Sequence, residues 1–261
     1  MGKLKSGILF TGSLGDFTAY RRKDSNEIHI RVKTGPSRKT IKTARNYENT
    51  RRNNAEFGAR SSTTRDFRQA LMYHWHVADY NPTGPLNALL HPIQKLDTNP
   101  WGQRSVCLSR YPKLVEGFTL NQRFGLDHYV RAQFSSSLSR DTGEAFVVIP
   151  ALYADVNLFS PQPQAWFRFV VSVGTIADRI YDANRKKFVP AAQVTDTVAA
   201  TTAWHFWGQP FEETRLALAF PASPPDALTL ILTVGIEFGK LGILGGVEPV
   251  RKGAARIVAA V

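Results

Sequence analysis

The chain has 261 residues, of which 43% are hydrophobic and 11% aromatic, enough apolar material for a packed core and too much for a disordered chain. No run of about 18 apolar residues occurs, so no membrane-spanning helix is expected, and the single Cys107 excludes a disulfide framework or a cysteine-based metal site. The formal net charge of +12 is uneven: residues 1–70 hold 16 Lys+Arg against 6 Asp+Glu, whereas the other 191 residues hold 17 against 15. Local positive charge of this kind attracts nucleic acid, anionic lipid or an acidic protein surface, or it serves only as a solvated face.

The opening residues Met1 to Phe10 begin with basic side chains, but their apolar stretch is only Ile8 to Phe10. A secretory segment needs about 7–15 apolar residues, so no signal peptide and a cytoplasmic location are expected.

In chain order, residues 7–34 predict a small sheet. Ile8-Leu9-Phe10 reads as a first strand, Gly12 to Asp16 as a turn, Phe17 to Arg22 as a second strand, and Lys23-Asp24-Ser25-Asn26 as a hairpin turn. Glu27 to Lys33 reads as a third strand, with Ile28, Ile30 and Val32 on one side and His29, Arg31 and Lys33 on the other. A sheet this small is marginal alone, so it should pack on something. Gly35-Pro36-Ser37 ends it. Residues 40–78 then read as a long helix with Phe57, Ser61, Thr64, Phe67 and Leu71 on one face. The poor helix formers Gly58 and Ser61 to Thr64 suggest a break near 58–64.

Residues 86–126 read as an irregular connector. Candidate strands follow at 127–136, 144–152, 165–174, 188–195, 203–208, 214–220, 227–238 and 255–261, separated by turn-rich pieces. The expected fold class is mainly β with an α segment: an N-terminal small β-hairpin sheet plus a long helix, then a C-terminal β-sandwich, jelly-roll-like. The expected divisions are 1–85, 86–126 and 127–261. The stretch Ala227 to Val234 is apolar at both alternations, which suits a central strand covered on both sides or covered by a partner.

No established chemistry emerges from the motifs. Gly235-Ile236-Glu237-Phe238-Gly239-Lys240 has the wrong spacing for a phosphate-binding loop. His74 and His76 on a helix point about 200° apart and cannot share a metal, so aromatic packing is the simpler reading. Glu212-Glu213 are strand neighbours facing opposite ways, which suits a surface rather than a catalytic pair. Trp166, Phe167 and Phe169, with Trp204, Phe206 and Trp207, read as sandwich core, though such rings also stack bases or sugars.

Several stretches carry a resemblance: Gly7-Ile8-Leu9, Gly12 to Tyr20, Lys23-Asp24, Thr50 to Gly58, Gly102-Gln103-Arg104, Glu116 to Asn121 and Val234 to Phe238. In these the chain resembles a family of uncharacterised basic proteins found largely in Bacteroidota. That family has no established activity, so the resemblance implies no catalytic residue and no cofactor. The chain departs from it at Ser25-Asn26, where relatives have a glycine-rich turn, and at Leu244-Gly245-Gly246, where they often have Asn-Gly.

The expected function is therefore a non-enzymatic structural protein that self-assembles, through its N-terminal arm and β-sandwich, into a homo-oligomer or larger assembly. The alternative is a nucleic-acid-binding protein making sequence-nonspecific phosphate contacts to DNA or RNA. Arg21, Arg22, Lys23, Arg31, Lys33, Arg38, Lys39, Lys42, Arg45 and Arg52 would make those contacts. No catalytic residue, metal, cofactor or membrane partner is expected.

Overall fold

The computed structural model describes residues 2–3, 10–22, 27–159, 166–242 and 245–261. The expected strand residues Ile8 and Leu9 and the expected hairpin turn Lys23 to Asn26 lie outside the described residues. The chain divides into two compact units, 1–51 and 52–261. The division falls inside the long helix, so most of that helix and the connector fold with the β body.

In the first unit, β1 (Gly2–Lys3), β2 (Gly12–Leu14), β3 (Phe17–Arg21) and β4 (Ile28–Val32) form an antiparallel sheet in the order β1-β4-β3-β2. The turn expected over Gly12 to Asp16 shrinks to Gly15-Asp16, because Gly15 at φ 53° supplies the positive angle that a two-residue hairpin needs. Strand alternation gives the sheet an apolar face of Leu14, Phe17, Ala19, Ile28, Ile30 and Val32. The opposite face carries Ser13, Thr18, Tyr20, His29 and Arg31. The short helix α1 (Arg38–Thr43) follows. Ser37 Oγ caps its start by accepting the Thr40 N–H at 3.0 Å. At its other end Arg51 donates to the Ile41 and Ala44 carbonyls, both at 2.8 Å, satisfying groups a helix end leaves open.

The helix α2 (Glu48–Ala70) runs from the first unit into the body, which continues with a single 3-10 turn at Trp75–Val77 and α3 (Thr83–Lys95). A connector with short turns leads to α4 (Leu126–Tyr129). Then come β5 (Ser135–Ser139), β6 (Glu144–Ile149), β7 (Trp166–Ala177), β8 (Arg179–Asp182), β9 (Lys187–Pro190), β10 (Val198–Thr201), β11 (His205–Phe206), β12 (Thr214–Ala219), β13 (Leu228–Leu241) and β14 (Val247–Ala260). The large sheet runs β10-β7-β13-β14, with β11 also pairing β7; the small one runs β12-β6-β5, and β8 pairs β9 apart from both.

Phe167, Phe169, Val171 and Val173 of β7 and Leu230 to Phe238 at alternate positions of β13 face the small sheet, where Ala145, Val147, Ile149 and Leu218 complete the core. This is the expected sandwich. The reverse face of the large sheet is covered too: Ile176, Ile231, Ala255 and Ile257 pack under Phe67, Leu71, Leu86, Leu90 and Ile93 of the helical layer. The central strand is thus covered on both sides by the same chain. Close approach of the helix depends on Gly174, where an added Cβ would lie 2.5 Å from the Ala70 Cα.

Several further local expectations differ from the structure; the late strand, for one, begins at Val247 rather than 255. Residues 126–129 form a helical turn rather than a strand. β8 and β10 are short strands that the apolar pattern does not mark. The helix does not break at 58–64: the Ser62, Thr63 and Thr64 hydroxyls bond back to the Gly58, Ala59 and Arg60 carbonyls, so these residues sit within a continuous helix. The breaks fall instead at Ala44 and after Ala70. Finally, Phe57 is 54% exposed, and the buried stripe runs through Glu56, Ala59, Thr63, Phe67 and Ala70.

Candidate functional site

The structure distributes the sequence-predicted cations over several surfaces. Lys23 lies outside the described residues. Arg21 is on the apolar face of the first sheet, whereas Arg31 is on the opposite face, its guanidinium 5.6 Å from the Tyr20 ring centre. Lys33 donates to the Gly15 carbonyl at 2.8 Å, across the hairpin. Arg38, Lys39 and Lys42 line α1, and Arg45 follows it; all are exposed. Arg22 is exposed at the end of β3. Arg52 belongs to the body, 5.7 Å from the Trp101 ring.

A second feature of the first unit is apolar. Leu14, Phe17 and Val32 are direct cross-strand neighbours, Leu14 opposite Phe17 and Phe17 opposite Val32. They are 67%, 52% and 52% exposed. Among the described residues, β2 pairs only with β3, so this row ends at an open sheet edge.

In the body the conspicuous polar group is Glu237, which is buried on the helix side of β13. Arg168, its cross-strand neighbour on β7, donates Nε at 2.8 Å, and His76 Nε2 lies 2.9 Å from the other oxygen. Burial pushes the Glu237 carboxyl up, but the hydrogen bonds from His76 and Arg168 outweigh it and hold the group below its ordinary value. Arg168 also lies 4.6 Å from the Trp204 ring. The carboxylate is fully engaged, which suits an internal tie rather than a proton-transfer group. The P-loop-like Gly235 to Lys240 stretch is part of this continuous strand.

His74 and His76 take separate partners. His74 is fully buried, with Nε2 3.0 Å from Ser172 Oγ. Glu212 and Glu213 are both exposed, and burial pushes the Cys107 thiol up, away from a reactive thiolate.

Two adjoining concavities of about 430 and 660 Å³ open beside the Trp75–Val77 turn. They share Ala78, Asp79 and Arg251. Sequence reasoning missed this cleft because its walls come from residues 68–83, 121–129 and 251–253. The available signal was Arg251-Lys252-Gly253, a basic pair before a glycine in the late strand β14.

Comparison of the chain with protein-family models, curated proteins and solved structures gave no match.

Proposed function

We propose that the chain is a non-enzymatic structural protein that self-assembles, with the N-terminal unit as the joining element. The observation that carries this reading is the exposed Leu14–Phe17–Val32 row beside the open β2 edge. Antiparallel alternation turns the Ser13 N–H and carbonyl outward from β2. The described part of that edge, Gly12-Ser13-Leu14, has no proline, charge or bulge of the kind that normally blunts an exposed strand. By contrast, the free end of β14 carries Pro249, Arg251, Lys252 and a bulge near Gly253. Antiparallel pairing of β2 with β2 of a second copy is isologous and places two apolar rows side by side.

A joint of three side chains is small beside the roughly 800 Å² per partner of a stable interface. The sandwich therefore has to add contacts, and the exposed Tyr153, Val156 and Leu241 are available for them. Residues 1–51 hold twelve Lys+Arg against four Asp+Glu, so like units repel and added salt should favour the joint.

A second reading, phosphate contacts to nucleic acid through the same unit, is favoured by one observation. Arg38, Lys39, Lys42 and Arg45 are exposed and have no ion-pair partner among the described residues. Such binding weakens as salt rises, the opposite of the assembly. Sedimentation velocity at rising protein concentration, in low and moderate salt, tests both. We expect species larger than the monomer that grow with concentration and salt, and that revert to monomer in Ser13→Pro and in Leu14→Lys. A wild-type chain that stays monomeric at high concentration in both buffers rejects the assembly. Co-purified absorbance at 260 nm that disappears in moderate salt would support the second reading.

A further inference from the structure

We infer that the cleft beside the Trp75–Val77 turn binds nucleotide units, meaning a planar base that carries phosphate, free or within a single strand. The inference is independent of the assembly, because every residue that lines the cleft belongs to the body.

The charge of the cleft calls for an anion. Arg68, Arg123, Arg251 and Lys252 line it, all exposed and without an ion-pair partner among the described residues. The acid in the lining is Asp79. Asp79 is exposed, but its two oxygens are already engaged by the Gln122 and Arg123 backbone N–H groups at 2.8 and 2.9 Å. Glu237, beyond His76, is already held by Arg168.

The same cleft offers flat apolar surfaces. Phe124 is 49% exposed, with His128 beside it at 4.7 Å between ring centres. In the other lobe Trp75 lies beneath Arg68, 5.6 Å from guanidinium to ring centre. Cations beside an exposed ring, Phe124, and a half-buried one, Trp75, match a phosphate joined to a π-surface, the combination used by single-strand binders. A bare phosphate would use only the cations. Each lobe falls within the range of about 300–1,000 Å³ for small-molecule pockets.

The walls are cross-tied rather than loose. Buried Asn121 donates to the Val77 carbonyl at 2.8 Å and the Gly253 carbonyl at 3.1 Å, and accepts the Ala255 N–H at 3.0 Å. One side chain thereby fixes the turn, the 121–129 segment and β14. The register of β14 shifts opposite Glu237 to Gly239, with Gly253 at φ 151°. A bulge of this kind re-aims neighbouring side chains, here Arg251 and Lys252 at the cleft.

The test uses the full chain and a fluorescein-labelled twelve-residue oligothymidine, followed by anisotropy. Phe124→Ala should weaken binding about tenfold, the usual scale for loss of one stacking ring. Arg251→Glu should weaken it at low salt more than at high salt. A chain with Arg38, Lys39, Lys42 and Arg45 all changed to Gln should keep the Phe124 dependence, which separates this site from the N-terminal cations. A 4-thiothymidine version of the oligonucleotide should crosslink to peptides holding Trp75 or Phe124. Displacement by AMP identifies the free nucleotide as the source, and resistance to AMP identifies the strand. Wild-type affinity in Phe124→Ala, with its fold verified by circular dichroism, would overturn the inference. So would displacement by inorganic pyrophosphate at least as effective as by AMP and by unlabelled oligonucleotide, or crosslinks confined to residues 1–51.

Discussion

His74 shows what one buried side chain does to stability. It is fully enclosed, with Nε2 3.0 Å from Ser172 Oγ and, among the described residues, no hydrogen-bond partner for Nδ1. An added Cβ on Gly235 would lie 2.6 Å from that Nδ1, so the glycine makes the space the ring occupies. Burial lowers the His74 pKa from 6.5 to about 4, against the attraction of Glu237. The unfolded chain therefore binds a proton on this ring that the folded chain refuses. The stability from keeping His74 neutral is complete above about pH 6.5 and is lost as pH falls toward about 4. A depression of this size corresponds to roughly 3 kcal/mol. Burial raises Asp66 and Asp178, whose protonation acts in the opposite sense, so the comparison must be between chains that share them. His74→Gln offers Ser172 a hydrogen-bonding group and removes the titration. Urea unfolding of both chains between pH 7 and pH 4.5 should show a steeper acid loss in the wild type. Equal slopes would mean that the folded His74 takes up its proton as readily as the unfolded chain does.

At the scale of elements, α2 docks through charged pairs as much as through apolar contacts. Glu56 takes Arg104 in a two-pronged pair, and Asp66 takes Arg179 at 2.7 and 2.8 Å while both side chains are nearly buried. Asp66→Ala leaves the Arg179 guanidinium buried without its counter-charge and should cost about 3–5 kcal/mol. Replacing both residues, Asp66→Leu with Arg179→Met, removes the stranded charge and should recover most of the loss. Denaturant midpoints of the two variants measure this, and a double variant no more stable than Asp66→Ala would contradict it. These pairs also explain what sequence reading could and could not find. The alternation of β6 and β12 and the two-sided apolarity of β13 are local patterns, and each marks its strand. On α2 the partners of Glu56 and Asp66 are 48 and 113 residues away, so the charges look like a solvent face and the Phe57 stripe looks like the buried one. Four-residue strands such as β8 and β10 are too short to establish a period. The basic side chains are visible as composition, but pairing register puts Arg21 and Arg31 on opposite faces of one sheet, and register does not follow from charge. Beyond the Arg251-Lys252-Gly253 step the cleft has no local signature, since Asn121 ties it together from three distant segments.

For the whole molecule, the distribution of the core sets the balance between the two units. Among the described residues, Ala19 and Ile28 are the buried hydrophobic side chains from residues 1–51; all the others lie in 52–261. A small sheet with so little enclosed apolar surface is marginal alone. The body has its own two-sided core and its own ties between helices and sheet. A chain that begins at Glu48, which keeps all of α2, should therefore unfold cooperatively with a midpoint within a few degrees of the full chain. Residues 1–51 made separately should show no cooperative transition. Because this truncation removes the Leu14–Phe17–Val32 row and the β2 edge, it should also be monomeric where the full chain associates. It keeps the cleft and should retain Phe124-dependent oligonucleotide binding. Calorimetry and sedimentation on the shortened chain read out both properties. A broad or absent transition would show that the body needs the first unit for its fold, and concentration-dependent association equal to that of the full chain would place the joint in the body.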